Sequence, residues 1–450
     1  MQLLDCLRKI LEQGRRIPIG VGCLAVMFVL LSQCMSADQQ TNVGTVATIP
    51  NTADKAAPTV GEAAPDKGPV GEAAPDRGPP LDASPYKGVP RGERDRGSVG
   101  EAAPDRGRVY EALPPAGAPA PDFVRVRVHY ATDRNYVPGA QPAAMYGTGR
   151  GTLSFGYCDV SIPREHRAGE LETRSLWRLE FRDDPAKHVV LLSALVRSRD
   201  EFFGDVAARV RSSPKSSAFI FVHGYNVTFE DAARRTAQIS YDLGFEGAPV
   251  FYSWPSQGKT LAYPADEQNI EWAQANLKTF LEEFFTQSGA QNVYLIAHSM
   301  GNRALARAVG TLLAEKPSLK ERLKEVILTA PDIDADVFKR DIAPALTATG
   351  RPVTLYASSV DLALAASKEF HGYPRAGDSG ADLVVLPGIE TIDATQVDTG
   401  LLGHSYFAES GFVLSDIFHL INDGARANMR MGLHPVDVRA GRYWQLVRED

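Results

Sequence analysis

The sequence predicts an α/β protein in which a mostly parallel central sheet is covered by helices on both faces. Two observations support this prediction. From residue 218 onward, short apolar runs alternate along the chain with segments of helical periodicity, which is typical of parallel sheets with helical crossovers. In addition, the apolar run Val293–Ala297 stops abruptly at a tight turn and is followed at once by an Ala- and Arg-rich helical pattern.

The segment before residue 218 predicts a different arrangement. Phe123–Tyr130 alternates apolar and polar residues, which indicates a half-buried strand. Further strands are expected at Gly151–Ile162, Ser175–Phe181 and His188–Val196, followed by a helix at Asp200–Arg211. We expect these early strands to extend one edge of the sheet as antiparallel additions.

The alternating segment supplies the parallel part of the sheet. Each predicted strand is a short, mostly apolar run, as expected for strands that are buried on both faces. The predicted strands are Ala218–His223, Pro249–Trp254, Val293–Ala297, Glu325–Ala330 and Pro352–Ala357. The predicted helices are Phe229–Leu243, Ile270–Thr286, Met300–Glu315 and Gly411–Ile421.

The turn after Val293–Ala297 reads Ala297-His298-Ser299-Met300-Gly301. A serine at the apex of a strand–turn–helix is the layout of a nucleophile elbow, in which a strained turn projects the hydroxyl toward a substrate. The helix N-terminus behind Ser299 favours developing negative charge, and small residues let strand and helix approach closely. The alternative is a serine that only caps the helix, but the His-Ser-x-Gly context favours a nucleophile.

An acyl-transfer site also needs a general base and an acid that orients it, and in this type of fold the acid precedes the histidine. Asp361 follows the strand Pro352–Ala357 and is our first choice for the acid. Asp332, after the preceding strand, is the second choice and Asp334 the third, because both also fit carboxylates that cap a turn or a helix.

His404 is the preferred base because it lies in a loop just before the final long helix, where a residue from the next strand-to-helix connection belongs. His371 is the second choice. It ranks below His404 because it follows Asp361 too closely to come from another part of the sheet. His419 lies within an amphipathic helix and His434 in the C-terminal tail, so both fit the role less well.

The oxyanion hole needs two backbone N–H groups that are aimed at one point. Met300, directly after the serine, should supply one of them. The other is expected from the Tyr225 N–H, in the loop His223-Gly224-Tyr225-Asn226 after the first alternating strand. His223 and Gly224 are predicted to line the substrate, Gly224 because it lets the backbone approach closely. The alternative is a simple strand-to-helix turn.

These motifs together resemble those of the α/β-hydrolases. The resemblance rests on Phe221-Val-His-Gly-Tyr-Asn226, Tyr252-Ser-Trp-Pro255, Ala297-His-Ser-Met-Gly301, Ala330-Pro-Asp332 and Tyr356-Ala-Ser-Ser-Val-Asp361, together with Tyr130-Ala-Thr-Asp-Arg134 and Tyr157–Pro163. The set is similar to a bacterial subgroup often labelled only as hydrolases of unknown function. The resemblance implies an α/β-hydrolase fold, a Ser-Asp-His triad and esterase-like chemistry, without a substrate. Ala297 replaces the more common first glycine of the elbow.

Composition and charge indicate which partners, crosslinks and metal sites are not expected. The formal net charge of -7 argues against a nucleic-acid partner. Of the four cysteines, only Cys158 lies outside the N-terminal leader, so no disulfide framework is expected. No His/Cys cluster has the spacing of metal ligands, and the expected chemistry requires neither a metal nor an organic cofactor.

The sequence divides into four parts. Residues 1–37 form a leader in which basic residues precede an apolar run that is short for a membrane span, as in a secretory signal. Leu31-Ser32-Gln33-Cys34 resembles a lipoprotein cleavage box, although Gln33 departs from the usual small residue. Residues 38–121 repeat a Gly-Glu-Ala-Ala-Pro-Asp pattern that predicts a disordered tether. Residues 122–430 form the hydrolase domain, and residues 431–450 a C-terminal tail.

The predicted function is cleavage of carboxylic esters by a serine hydrolase of the carboxylesterase or lipase type, acting on a small-molecule or lipid ester. Acyl transfer or amide hydrolysis by the same triad, or an inactive binding or scaffold protein, are the alternatives. The leader predicts a location in the bacterial cell envelope, in the periplasm or as a membrane-anchored lipoprotein, or secretion. Mass spectrometry of the mature N-terminus tests this: an acylated Cys34 indicates a lipoprotein, and a start near Ala37 excludes one.

Overall fold

The computed structural model of the protein describes residues 121–173, 182–397 and 411–448. Residues 1–120, which include the predicted leader and most of the tether, lie outside this part of the chain. The predicted strand Ser175–Phe181 and the predicted base His404 lie outside it as well.

The strands of the described segments form one sheet. Their bounds are β1 Phe123–Tyr136, β2 Tyr146–Pro163, β3 Val190–Arg197, β4 Ser217–Val222, β5 Ala248–Ser253, β6 Asn292–His298, β7 Leu323–Thr329, β8 Val353–Ala357, β9 Ile389–Asp393, β10 Leu433–Val438 and β11 Gly441–Leu446. Their order across the sheet is β10-β11-β9-β8-β7-β6-β4-β5-β1-β2-β3.

Helices connect the strands and cover both faces of the sheet. They are α1 Arg199–Ser212, α2 Phe229–Asp242, α3 Tyr263–Gln287, α4 Gly301–Glu315, α5 Ala335–Val337, α6 Ala343–Thr347, α7 Leu362–His371 and α8 Gly411–Phe418. A π-helical turn, Phe338–Ile342, joins α5 to α6, and a second, His419–Asp423, extends α8. None of the helices in the described ranges is long and apolar enough to cross a membrane.

The sheet has a parallel centre and two antiparallel edges. Strands β5, β4, β6, β7, β8 and β9 are parallel neighbours. At one edge β1 joins β5 in parallel, and β2 and β3 follow as an antiparallel meander. The predicted fold class is therefore confirmed. The early strands extend one edge as predicted, but β1 joins in parallel, and only β2 and β3 are antiparallel additions. Because the central strands are parallel, their carboxyl ends meet at one edge of the layer, where ligands bind in open α/β sheets.

Alternate residues of the central strands pack into two separate cores. In β4, Ile220 and Val222 belong to the core beneath α1, α3 and α4, whereas Phe219 and Phe221 belong to the core beneath α2 and α8. Side chains alternate between the two faces of a strand, so a strand covered on both sides must be apolar at nearly every position. This requirement explains why the central strands were recognisable in the sequence.

The C-terminal residues differ from the prediction. Residues 431–450 were expected to form a tail, but β10 and β11 pair as an antiparallel hairpin, and β11 continues the sheet next to β9. Just before the hairpin, the buried Arg430 guanidinium donates hydrogen bonds to Asp416 and Tyr356. A buried cation with these partners ties the hairpin to α8 and to β8, so the hairpin belongs to the hydrolase domain.

Candidate active site

Ser299 lies at the apex of the turn between β6 and α4, as predicted. Its φ of +51° falls in the left-handed region, which costs a non-glycine residue about 1–3 kcal/mol. Neighbouring groups hold this conformation. The Ser299 N–H donates to the Thr329 carbonyl at 3.0 Å, and the Ser299 carbonyl accepts from the Asn302 backbone at 3.1 Å, the Asn302 amide at 2.9 Å and the Asp332 N–H at 3.3 Å. The elbow is therefore a rigid feature, and it leaves Ser299 only 1% exposed.

Two glycines let the loop after β4 contact the elbow. A Cβ on Gly301 would lie 2.4 Å from the His223 carbonyl oxygen, and a Cβ on Gly224 would lie 2.9 Å from the Ser299 Cβ. Real Cβ atoms do not come this close to other atoms. The structure thus brings together the His-Gly loop and the serine, which the sequence placed in separate motifs.

The predicted oxyanion donors lie on the two residues next to this contact. Tyr225 follows Gly224, and Met300 follows Ser299. Among the residues that the structure describes, neither the Tyr225 N–H nor the Met300 N–H donates a hydrogen bond to another protein group. By contrast, the next two N–H groups of the loop are occupied, since Asn226 donates to Asp266 and Val227 donates to Ser256. An oxyanion hole requires two uncommitted donors, and these two lie beside Ser299.

His223 has a different role from the predicted one. Instead of lining the substrate, its imidazole is buried and stacks on the Trp254 indole, with ring centroids 5.1 Å apart. Nδ1 lies 2.8 Å from the Gly224 carbonyl and Nε2 lies 3.1 Å from the Ser253 hydroxyl. Burial, with the nearby Arg134 guanidinium, holds the pKa of His223 well below its usual range. The ring is therefore neutral, with Nδ1 donating and Nε2 accepting, and it supports the loop from below.

Asp361 lies at the carboxyl end of β8, buried and next in sequence to α7. Its Oδ1 accepts a hydrogen bond from the Leu364 N–H at 2.9 Å. The residue therefore caps α7, which was the alternative reading for these carboxylates. The capping contact uses one carboxylate oxygen and holds Asp361 at the edge of the sheet where the strands end and where Ser299 also lies. Capping is therefore compatible with the role of triad acid.

Asp332 belongs to a separate buried network beside the elbow. Its carboxylate accepts hydrogen bonds from Tyr263, Ser367, Arg375 and Arg303, at 2.5, 2.7, 2.8 and 3.3 Å. Burial alone would raise the pKa of Asp332, but the two guanidinium groups outweigh burial and hold the pKa well below its usual range. A carboxylate with four donors has little capacity left to orient a histidine.

The third candidate acid, Asp334, caps α5. Its Oδ1 accepts from the Asp336 and Val337 N–H groups at 2.9 and 3.0 Å. This is the helix-capping role that the sequence left open for it.

The predicted base, His404, lies in residues 398–410, outside the part of the chain that the structure describes. These residues follow β9, the neighbour of β8. The structure describes the other three candidates. His371 contacts Ser367 and Glu267 through its two nitrogens, at 2.7 and 2.8 Å. His419 pairs with Asp423, and His434 is exposed on the edge strand β10.

The sequence did not reveal the buried polar groups that support the site. Arg134, Asp266 and Arg303 are the main ones, and each contacts residues far away along the chain. One signal was available for Arg134, because it ends the motif Tyr130-Ala-Thr-Asp-Arg134. Within the described ranges, no group of three or more His, Cys, Asp or Glu side chains could hold a metal ion.

The solved structures that match this chain are distant from it in sequence. Aspergillus fumigatus lipase B is 13% identical, with a TM-score of 0.31, over 47% of this chain and 53% of the lipase, so the match spans about half of that enzyme. Esterase B from Lactobacillus rhamnosis is 12% identical, with a TM-score of 0.28, over 69% of this chain and 91% of that one. The carboxylesterase CesB from Bacillus subtilis is 12% identical, with a TM-score of 0.26, over 48% and 87%. No curated protein matches the sequence.

One protein family matches directly. Its model, described as "Alpha/beta hydrolase of unknown function (DUF900)", covers residues 198–423, about half of the chain. The matched range begins just before α1 and runs through the elbow, Asp361 and the end of the helical segment after α8. The chain therefore belongs to this family of α/β-hydrolases and has the α/β-hydrolase fold.

Proposed function

We propose that this protein is a serine hydrolase that cleaves carboxylic esters through an acyl-enzyme on Ser299. Its family gives hydrolysis as the reaction class. One observation supports the finer assignment. Ser299 lies in a left-handed turn packed against Gly224, and the adjoining Tyr225 and Met300 have N–H groups without a partner among the described residues. Acyl transfer uses a nucleophile to attack the carbonyl and oxyanion donors to stabilise the charge that develops.

The proposed reaction uses Ser299, the predicted base His404 and the predicted acid Asp361. His404 takes the hydroxyl proton of Ser299 while the serine Oγ bonds to the acyl carbon, and the Tyr225 and Met300 N–H groups stabilise the oxyanion. When the intermediate collapses, the ester C–O bond breaks and the alcohol leaves with the proton from His404. Water, deprotonated by His404, then releases the acid and restores the serine. Asp361 orients His404 and stabilises its charged form.

Hydrolysis of p-nitrophenyl esters of graded acyl length tests the proposal. The wild type should hydrolyse at least the short esters, and Ser299→Ala should lower kcat by about 10³-fold or more, because the nucleophile is removed. A folded wild type without activity on any ester of the series would contradict the proposal. Parallel assays with nitroanilides and with added alcohol acceptors separate ester hydrolysis from amide hydrolysis and acyl transfer.

The two buried carboxylates Asp361 and Asp332 form a matched pair for assigning the acid. Asp361→Asn should lower kcat by about 10²- to 10⁴-fold, since the histidine loses its orienting charge. Asp332→Asn should leave kcat of the folded protein nearly unchanged. It should instead lower the free energy of unfolding by about 3 kcal/mol, because Arg303 and Arg375 lose a buried partner. The reverse pattern in kcat would assign the acid to Asp332.

A further inference from the structure

Arg134 is a buried cation that the reaction scheme leaves unexplained. It ends the motif Tyr130-Ala-Thr-Asp-Arg134 in β1 and is 1% exposed. Its Nη2 donates to the Val227 carbonyl at 2.7 Å, and its Nη1 donates to the Ser256 carbonyl at 2.8 Å. Its Nε donates to the Ser253 hydroxyl at 2.8 Å. Burial lowers the pKa of Arg134 to about 10, so the side chain remains charged at neutral pH. The guanidinium therefore joins the end of β1 to the loops after β4 and β5.

Asp266, in the first turn of α3, is the corresponding buried anion. It is fully buried, and its Oδ2 accepts hydrogen bonds from the Asn226 N–H at 3.2 Å and the Ser256 hydroxyl at 2.6 Å. Its Oδ1 accepts from the Gln257 N–H at 2.7 Å. Ser256 links the two charges, because its carbonyl accepts from Arg134 and its hydroxyl donates to Asp266. The same hydroxyl oxygen accepts a hydrogen bond from the Val227 N–H at 3.1 Å.

These contacts hold the residues on both sides of Tyr225. On its C-terminal side, Asp266 binds the Asn226 N–H and Arg134 binds the Val227 carbonyl. On its N-terminal side, the Ser253 hydroxyl accepts from Arg134 and donates to His223 Nε2, and His223 Nδ1 donates to the Gly224 carbonyl. Asn226 is meanwhile held at a φ of +59°, a left-handed conformation that needs such support.

We propose that Arg134 and Asp266 are positioning residues that fix the direction of the Tyr225 N–H toward the oxyanion. This inference rests on the proposed function, in which that N–H stabilises the transition state. Oxyanion donors act at 2.7–3.1 Å from the oxygen, and a displacement of about 1 Å at a reacting centre costs on the order of 10²-fold in rate. The ground-state substrate depends less on this donor, so loss of the support should lower kcat much more than it raises KM.

Asp133 provides a matched control next to Arg134. It is equally buried, but its carboxylate accepts from the Tyr252 hydroxyl at 2.7 Å and the Asn276 amide at 3.0 Å. Neither of these side chains is hydrogen-bonded to the His223–Val227 loop. Asp133→Asn therefore perturbs the same end of β1, and removes a neighbouring charge, without removing a hydrogen bond made by Arg134, Asp266 or His223.

The experiment compares Arg134→Lys, Asp266→Asn and Asp133→Asn with the wild type. Three quantities are measured: kcat and KM on a p-nitrophenyl ester, Ki of an alkyl boronic acid whose serine adduct places an oxygen in the oxyanion hole, and the midpoint of thermal unfolding. Arg134→Lys and Asp266→Asn should lower kcat about 10- to 100-fold, raise the boronic acid Ki by a similar factor and change KM less than about threefold. Asp133→Asn should change kcat and Ki less than about twofold.

Wild-type kcat and Ki in folded Arg134→Lys and Asp266→Asn would overturn the inference, as would an equal loss in Asp133→Asn. If Arg134→Lys does not fold, Asp266→Asn decides, because it removes the charge and one of the two acceptor oxygens that hold Asn226, Ser256 and Gln257, and it keeps the guanidinium. Failure of the proposed function is recognised separately, from a wild type that hydrolyses no ester, and would overturn this role as well.

Discussion

Ser299 and Gly224 show how the site depends on single atoms. The serine occupies a costly backbone conformation that its neighbours enforce, and its Cβ lies where a side chain on residue 224 would have to go. The glycine is therefore required for its lack of a Cβ, since its own φ is not in the left-handed region. Strain at Ser299 and close approach at Gly224 are two separate local requirements of the same elbow.

Gly224→Ala should damage both stability and catalysis. The new Cβ would meet the Ser299 Cβ at 2.9 Å and His298 Nδ1 at 3.0 Å, so the loop and the elbow must separate. We expect a loss of about 1–3 kcal/mol in the free energy of unfolding and a decrease of tenfold or more in kcat, because Tyr225 moves with the loop. Chemical denaturation and ester kinetics measure the two effects.

Gly204→Ala is the matched control for this substitution. Gly204 lies on the exposed side of α1, with no atom within 4 Å of an added Cβ. Alanine there should stabilise the protein by about 0.5–1 kcal/mol, since glycine is the poorer helix former. Wild-type stability and kcat in Gly224→Ala would show that the close approach is not required.

The segment between β2 and residue 173 is held against α2 by a buried histidine. His166 Nδ1 contacts the Glu172 carboxylate at 2.8 Å, and Nε2 contacts Asp242, the last residue of α2, at 2.7 Å. Burial alone would lower the pKa of His166, but the hydrogen bonds and charges of Asp242 and Glu172 outweigh burial and raise the pKa to about 9. The charged imidazole thus clamps this segment to a helix that begins directly after the His223–Val227 loop and the cap residue Thr228.

This clamp predicts a loss of stability in alkali. The folded pKa of His166, about 9, lies above the ordinary value of 6.5. The stabilisation is therefore fully present below about pH 6.5 and is lost as the pH rises through about 9. The difference corresponds to about 3 kcal/mol at about 1.4 kcal/mol per pKa unit. Urea denaturation between pH 6 and pH 10 should show this decrease for the wild type.

Two variants separate His166 from other groups that titrate in alkali. His166→Gln should be less stable at pH 6 and should lack most of the decrease. His434→Gln, at an exposed position on β10, should follow the wild type. Parallel curves for the wild type and His166→Gln would rule out the clamp.

Whether a strand could be predicted from the sequence depended on how many of its faces are buried under helices. The strands from β4 to β8 were predicted within a few residues, because burial on both faces requires continuous apolar runs. Of the helices, α3 begins seven residues before the predicted Ile270, and α5, α6 and α7 were not predicted. By contrast, β9 was missed because it has five residues and follows a Pro-Gly pair. The edge strand β10 was missed because it contains Pro435 and exposes most of its side chains. A strand without a buried face lacks the alternation of apolar and polar residues from which a strand is predicted.

The residues of the candidate site could be found in the sequence where they lie in short local motifs. The elbow, the His-Gly loop and the candidate acids each lie within a few residues of a strand end, so their motifs were readable. His223 was placed wrongly, because a polar residue after a strand can turn toward the substrate or into the core. Arg134 supports Val227 across 93 residues of sequence, and only the folded sheet brings the two together.

Covalent labelling with a fluorophosphonate tests most directly whether Ser299 is the nucleophile of this hydrolase. The probe phosphonylates an activated serine and displaces fluoride, so it needs no knowledge of the natural ester. Mass spectrometry of the digested wild type should locate one adduct, on Ser299, and Ser299→Ala should stay unlabelled while unfolding at a temperature close to that of the wild type. A folded wild type that remains unlabelled, or an adduct on a different serine that persists in Ser299→Ala, would contradict the account.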